Sequence, residues 1–382
     1  MKKLCYNTRA VLGLGFGDEG KGNVVDSLCR SLDNTLVIRF SGGQQAGHTV
    51  KTDSISHVFS NFGSGTLRKI PTYWSKYCTF DPVGTINELS VLSEKGIDPI
   101  LYIDKRCPIT TPYDIRRNQH NYKAINHGTC GVGVGTTFER EEKGFSLHVG
   151  DLFYDSIFKL KLDLIKEHYW PEHLYSGDYV SDKVNLSYFL ECCERIKSAS
   201  NFYIVEDILP YYDNYIFEGS QGLLLDQNIG FFPHVTRSNT GSKNILEMAE
   251  QPYLYLVIRA FQTRHGNGPM TNIHRSHNIK VNPHESNIKN EYQGDFRTAL
   301  LDLDLLKYGI EKDAYIHETK NKELIITCMD LVEGDYRYTL GDMVVTCRNK
   351  EEFARLIADH LEISRVTTIA SPYGRRIDIN ES

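Results

Sequence analysis

Three glycine-rich segments carry residue types that could do chemistry on a phosphorylated substrate. The first is Gly15-Phe16-Gly17-Asp18-Glu19-Gly20-Lys21-Gly22. Its Gly-x-x-x-x-Gly-Lys spacing is that of a phosphate loop: glycines let backbone N–H groups turn toward an anion, and the lysine adds a compact positive charge. Gly22 stands where such a loop has a Ser or Thr hydroxyl for magnesium, so another oxygen is needed, and Asp18 inside the loop is at hand. An acid among phosphate-facing amides is electrostatically costly unless a metal or a proton transfer uses it. A plain strand-to-helix turn with a solvent-facing Asp-Glu-Gly-Lys is the alternative.

The second segment, Ser41-Gly42-Gly43-Gln44-Gln45-Ala46-Gly47-His48-Thr49, brings a histidine. Near neutral pH it can donate to a phosphate oxygen or act as a general acid; otherwise it is satisfied within its own loop. The third comprises Phe217–Asp226 and Val235–Thr240. The amide of Gln221 both donates and accepts, so it could read a base edge, and Thr236, Ser238 and Thr240 could form a hydroxyl cradle for phosphate. His127–Gly135 offers further loop amides. Taken alone, these last stretches suit ordinary surface loops equally well.

Such loops need strand ends to hold them. Arg9–Leu14 reads as a buried strand, Asn23–Ser31 has helical apolar spacing, and Thr35–Phe40 is a second strand. That is a βαβ unit, the element of a mainly parallel sheet. Helices are expected over Thr85–Lys95, Tyr154–His168 and Glu351–Leu361, and strands over Ile100–Ile103, Asn214–Glu218, Leu254–Ala260 and Leu324–Cys328. The expected fold is α/β, a mainly parallel central sheet flanked by helices, with residues 1–382 forming one domain.

Composition agrees. The chain has 382 residues, 40% hydrophobic and 24% charged, enough apolar mass for a large core. A net charge of -6 gives no whole-chain attraction to nucleic acid or an anionic membrane, and no apolar run is long enough to span a bilayer. The nine cysteines lack any Cys-x-x-Cys pair, which points to free thiols in a reducing cytoplasm.

In order along the chain, LGFGDEGKGNVVD, RFSGGQQAGHT, GTCGVGVG, HVGDLF, FEGSQGLLLD, PHVTRSNT and TRHGNGP resemble the motifs of adenylosuccinate synthetase. That family joins IMP to L-aspartate with GTP and Mg2+, on a mainly parallel α/β sheet with loops like those of phosphate-loop GTPases, as a homodimer. The resemblance implies that Asp18 takes the N1 proton of the base and ligates magnesium, with Gly47 as a second ligand. His48 and Lys21 would stabilise charge moving between phosphates, and Gln221 would hold the base. Gly17, Glu19, Gly20, Gly22, Ala46 and Thr49 would line phosphate and nucleotide; Gln45, Thr129 or Cys130, and Thr236 would hold the 5′-phosphate. Arg297 would bind the amino acid. Partners are then small molecules only: a purine monophosphate, a nucleoside triphosphate and an amino acid.

Several positions depart from the family pattern. Gln45 replaces an Asn, and Thr129-Cys130 replaces paired Thr. The arginine-rich segment thins to Tyr292–Asp302 with Arg297 alone, and Glu139–Gly144 offers Arg140 and Lys143 out of register with the family's cross-subunit arginine. The guanine-reading Thr-Lys-Leu-Asp appears as Thr319-Lys320-Asn321-Lys322, keeping Lys320 as a nucleotide contact but placing Lys322 where the base-pairing carboxylate belongs. The closing Ile369–Arg375 only loosely matches the family's ending, and the chain is shorter than is usual. These departures leave open ATP in place of GTP, dIMP, GMP or dGMP as acceptor, another amino acid, or a silent purine-nucleotide sensor. Viral relatives acting on dGMP with ATP lack an acid at the Asp18 position, so Asp18 favours a 6-oxopurine without a 2-amino group.

Overall fold

A computed structural model describes residues 3–125, 129–169, 179–208, 210–280 and 294–370. In chain order its strands are β1 (Thr8–Gly13), β2 (Thr35–Arg39), β3 (His48–Lys51), β4 (Ser56–Phe59), β5 (Thr72–Trp74), β6 (Leu101–Asp104), β7 (Phe202–Val205), β8 (Asn214–Gly222), β9 (Tyr253–Arg259), β10 (Gln262–His265), β11 (Phe296–Ala299), β12 (Leu301–Asp302), β13 (Lys322–Thr327), β14 (Tyr336–Leu340), β15 (Met343–Cys347) and β16 (Val366–Thr368). Nine of them form one sheet in the order β16-β13-β9-β1-β8-β2-β5-β6-β7. Every neighbouring pair in it is parallel. The expected strands and the mainly parallel sheet are therefore present, with ends shifted by at most four residues.

Period-two alternation divides the sheet's side chains between two faces. Ala10, Leu12, Leu36, Ile38, Phe217 and Leu256 enter one buried cluster. Their neighbours Val11, Val37, Ile216, Val257 and Ile325 pack on the other face, against Val24, Val25 and Leu28 of helix α1 (Lys21–Ser31). Each such side chain contributes roughly 1.5–3 kcal/mol on burial, so α1 is held firmly over the strand whose loop it follows. Burial on both faces is why these strands read as unbroken apolar runs.

Helix α2 (Pro82–Glu94) begins three residues before its expected start, because Asp81 caps it by accepting from Val83 N at 2.9 Å and Pro82 suits the first turn. Helix α3 (Pro112–Ile125) and helix α4 (Val134–Glu142) were not legible; α4 grows directly out of the Gly-Val-Gly-Val-Gly run. Within Tyr154–His168 the α-helix is Asp155–Leu164. The antiparallel pairs β3–β4 and β10–β11 lie outside the main sheet, as does β12-β14-β15. All nine cysteines are free thiols. Among the described residues no helix is long and apolar enough to cross a membrane.

Candidate functional site

Because the central strands are parallel, their carboxyl ends lie along one edge, and the loops after β1, β2, β8 and β13 meet there. The loop after β1 runs from Leu14 into α1, with Gly20 at the helix cap and Asp18 half-buried at φ 62°. Glu19 turns inward. Its carboxylate accepts from Gly15 N at 3.1 Å, Gly17 N at 2.9 Å and Lys21 Nζ at 2.6 Å. The Glu19 side chain is thus an internal anion that shapes the loop and holds Lys21, which leaves the backbone of Glu19 as the part that could line a nucleotide. The absent hydroxyl at Gly22 has a steric reason. A Cβ there would stand 2.9 Å from His48 Cβ and 3.0 Å from Ser64 Oγ, so the first two loops touch only because Gly22 has no side chain.

That contact places His48, the first residue of β3, beside Lys21. His48 Nδ1 lies 2.5 Å from Glu218 Oε1, and Glu218 also accepts from Ser64 N at 3.0 Å and from Ser64 Oγ. Glu218 is fully buried on β8. Burial alone would raise its pKa, but the charge and hydrogen bond of His48, the charge of Arg39 and the Ser64 hydroxyl hold it near 2. Burial also lowers the pKa of His48, against the pull of Glu218 and with help from Arg39 and Lys21. His48 thus donates from Nδ1 to the Glu218 carboxylate, which leaves Nε2 buried and with no partner among the described residues. Arg39, register neighbour of Glu218 on β2, is wholly buried over the Trp74 ring at 5.2 Å. Sequence reasoning missed Glu218, Ser64 and Arg39; the Phe-Glu-Gly motif was the available signal.

The third loop closes the opposite side. A Cβ on Gly17 would stand 3.6 Å from Gln221 Oε1, so the first loop and the candidate base-holding amide are in contact. Cys130 Sγ donates to Gln45 O at 3.9 Å, and its thiol is pushed up to about 12 by burial and then by the nearby Asp18 carboxylate. Asp18, Gln45, Cys130 and Gln221 are therefore brought together. Both amide atoms of Gln45 are buried without partners among the described residues. Ala46 is buried under them, Gly47 is exposed, and Thr49 is half-buried on β3. The hydroxyl cradle is smaller than expected: Ser238 Oγ accepts from Gly42 N at 3.0 Å and Thr240 Oγ1 donates to Gly222 O at 3.0 Å, which leaves Thr236. Thr129 Oγ1 is occupied too, donating to Asn118 at 3.1 Å and accepting from Gly131 N at 3.2 Å. His127 and Gly128 lie outside the described residues.

Three side chains from other strand ends grip the first loop by its carbonyls. Thr263 Oγ1 of β10 donates to Gly17 O at 3.2 Å, Arg259 Nε of β9 to Asp18 O, and Thr327 Oγ1 of β13 to Glu19 O at 2.7 Å. Across the β10–β11 pair, Arg264 sits opposite Arg297. Arg264 lies 4.0 Å above the Phe16 ring and donates to Pro269 O and His234 O; Arg297 donates to Gly266 O and to Gly268 O at 2.7 Å. Burial, then Arg297, pulls the Arg264 pKa down to about 10. Arg297 thus has a second cation beside it that sequence reading missed. Residues 281–293, including Tyr292 and Gln293, lie outside the described set.

Two expected contacts are elsewhere. Lys320 precedes β13, at the end of the sheet away from the phosphate loop, and is exposed. The six residues of β13 put about 16 Å between that end and the loop. Lys322 is buried, its Nζ donating to Ile316 O at 2.7 Å and His317 O at 3.0 Å, where it caps the short helix Ala314–Glu318. The segment that does follow a strand into the site is Thr327-Cys328-Met329-Asp330, directly after β13, with exposed Asp330 on the turn. Met329 N donates to Ile369 O at 3.2 Å, so the closing segment reaches the same turn; Ser371–Arg375 are outside the described residues. Thr319–Lys322 therefore lies at the end of β13 away from the phosphate loop, while the turn that follows the strand at the loop's end carries a carboxylate, Asp330. Arg140 is likewise structural: fully buried, it pairs with Asp114 at 3.0 Å and donates to Ile109 O at 2.7 Å, while Lys143 pairs with Glu139.

Among the described residues no cluster of three or more His, Cys, Asp or Glu could hold a metal by itself. The Asp18 carboxylate and Gly47 carbonyl are hard oxygen donors on facing loops, a pair that fits Mg2+ completed by substrate phosphates and water.

A family model described as adenylosuccinate synthetase matches residues 10–340. The adenylosuccinate synthetase of Thermodesulfovibrio yellowstonii is 28% identical over 346 residues, 86% of this chain and 78% of that protein. That of Histophilus somni is 32% identical over 276 residues, and the match spans 68% of this chain but 63% of the relative. Among solved structures, fully ligated adenylosuccinate synthetase from Plasmodium falciparum superposes with a TM-score of 0.77 at 17% identity, covering 96% of this chain and 98% of that one. The succinoaminodeoxyadenylate synthetase of cyanophage S-2L, bound to dGMP and to dATP as an energy donor, gives 0.60 at 13% identity, with 97% and 92% covered. At these identities the two structures show a shared fold.

Proposed function

Since the chain belongs to the adenylosuccinate synthetase family, we propose that it is a C–N-forming ligase that activates IMP with GTP and condenses it with L-aspartate to adenylosuccinate. The observation that carries this is the convergence of loops around Asp18: its neighbour Gly17 lies against Gln221, Cys130 feels its charge and bonds Gln45, and the same loop touches His48 through Gly22. In the proposed reaction Asp18 takes the N1 proton of the base held by Gln221, and the 6-oxygen attacks the γ-phosphorus of the triphosphate, releasing the diphosphate. Lys21 and a protonated His48 Nε2 stabilise charge on the phosphates; an incoming polyanion favours that protonation, and Glu218 keeps the ring aimed. The amine of aspartate then attacks C6 and the 6-phosphate leaves. Asp18 and the Gly47 carbonyl would hold Mg2+, which would supply charge neutralisation on the transferred group. Gln45, Cys130 and Thr236 are proposed 5′-phosphate contacts. Arg297 with Arg264 is proposed to face the amino acid's carboxylates.

Asp330 supports GTP as the triphosphate, since a carboxylate on the turn after β13 can accept from guanine N1–H and N2–H₂. We propose further that the chain acts as one α/β unit, because strands from Thr8 to Thr368 share the sheet, and as a cytoplasmic homodimer, in keeping with its free thiols. The test is phosphate release and nucleotide mass after incubation with IMP, dIMP, GMP or dGMP, each with GTP or ATP, Mg2+ and a panel of amino acids. Release with IMP, GTP and aspartate alone is expected. Another productive set would replace the substrates named here, and tight monophosphate binding without turnover would make the protein a sensor. Asp18→Asn is expected to lower kcat by about 10³-fold or more while leaving the Kd for IMP within a few-fold; undiminished turnover would remove Asp18 from the role of base.

A further inference from the structure

Asp18 holds a left-handed backbone, φ 62°, which side-chain-bearing residues rarely adopt. Side chains from three strands hold the loop around it. Gly17 O, Asp18 O and Glu19 O are three consecutive carbonyls, and each is taken by a side chain from a different strand: Thr263, Arg259 and Thr327. On the loop's other edge, Gly15 N and Gly17 N are tied to Glu19. Of the three grips, Arg259 is the one on Asp18 itself. Its buried guanidinium is aimed by two rings, lying 5.8 Å from the Phe261 centroid and 5.6 Å from that of Phe296.

We infer that Arg259 is a positioning residue for the ligase reaction: by holding the Asp18 carbonyl it keeps Asp18 in the left-handed conformation, and so keeps its carboxylate directed at the purine base. Thr263 and Thr327 hold the carbonyls on either side, so the Arg259 bond is the one of the three that acts on the Asp18 carbonyl itself. Without the Arg259 bond, Asp18 can relax to an ordinary negative φ, which swings Cβ and the carboxylate away from the base while the rest of the monophosphate site is untouched. Lysine keeps a donor but not the planar fork that the two rings orient, so it replaces arginine only in part.

This inference rests on the proposed role of Asp18, and the experiment separates the two. Arg259→Met, Arg259→Lys, Asp18→Asn and the Arg259→Met/Asp18→Asn double variant are assayed for kcat and for KM toward IMP, and Arg259→Met is crystallised. A displacement near 1 Å at a catalytic group costs about 100-fold, so kcat of Arg259→Met should fall about that much with KM changed less than about threefold. Arg259→Lys should recover about tenfold of the loss, and in the Asp18→Asn background Arg259→Met should cost less than about threefold, because the group it positions is gone. The Arg259→Met crystal structure should show Asp18 outside the left-handed region. Wild-type kcat in Arg259→Met, an undiminished loss in the double variant, or an unmoved Asp18 in the crystal would each overturn the inference. If the wild-type protein itself shows no turnover, the functional reading fails, and the position of Asp18 in the Arg259→Met crystal still decides this one.

Discussion

Replacing Glu218 by Gln keeps the shape of a fully buried side chain and removes its charge. In the native protein that carboxylate accepts from His48 Nδ1, Ser64 N and Ser64 Oγ, and its pKa is held near 2 against an ordinary 4.5. At 1.36 kcal/mol per pH unit, ionised Glu218 contributes about 3 kcal/mol to folding relative to its neutral form, and Gln imitates the neutral form. Because the folded value lies below the unfolded one, this stabilisation is complete above about pH 5.5 and is lost as pH falls through the acid range toward the folded value. Urea unfolding of both proteins between pH 7 and pH 3 measures it. The expected result is a deficit of about 3 kcal/mol for Glu218→Gln at pH 7 that is constant down to about pH 5.5 and narrows below. A variant as stable as wild type at pH 7, or a deficit that does not change with pH, would refute the assignment of Glu218 as a buried anion paired to His48.

Asp330→Asn should raise KM for GTP by about thirtyfold, since two hydrogen bonds to a charged acceptor are weakened at about 1 kcal/mol each, and leave use of ATP unchanged. Lys320→Ala should alter neither; an unchanged GTP-to-ATP preference in Asp330→Asn would refute base reading at this turn. In Gly222→Ala the new Cβ would lie 2.1 Å from Gly15 O and 2.4 Å from Gly17 N, so the phosphate loop must shift. A loss of about 1–3 kcal/mol by thermal unfolding and weaker triphosphate binding are expected, and wild-type affinity would show that the loop yields without consequence. Arg140→Met strands the Asp114 carboxylate, which is fully buried. It should cost about 3–5 kcal/mol in urea unfolding, and unchanged stability with lost IMP binding would make Arg140 a substrate ligand after all.

What could be read from the chain was whatever depends on neighbours in sequence. The apolar runs of β1, β2, β9 and β13 announce strands buried on both faces because each residue in them is apolar whichever way it points. The first loop is legible because glycine spacing and a lysine are local requirements of phosphate binding. Helices α3 and α4 were not, as α4 starts inside a glycine run whose propensity argues against it and is held by Thr136 and Thr137 bonds to Gly133 O. Thr319–Lys322 was matched to the family's Thr-Lys-Leu-Asp segment by likeness of residues; the direction of β13 shows that its last residue, and not its first, lies at the phosphate-loop end of the sheet.

The sequence by itself determined the α/β class and the glycine spacing of Gly15–Gly22, and it nominated Asp18, Lys21, His48 and Gln221 as candidates, since these follow from residue type, short spacing and likeness to a family's motifs. Only the tertiary structure decided how those groups are used. It turns Glu19 inward, buries Lys322 and Arg140 as structural cations, sets Glu218 behind His48, and brings Arg259 to the carbonyl of Asp18. The physical reason is distance along the chain. His48 and Glu218 are 170 residues apart, and Asp18 and Arg259 are 241 apart, so nothing local selects these partners. A parallel sheet selects them, by stacking the carboxyl ends of distant strands along one edge, where a buried charge is tolerated only beside the group that compensates it.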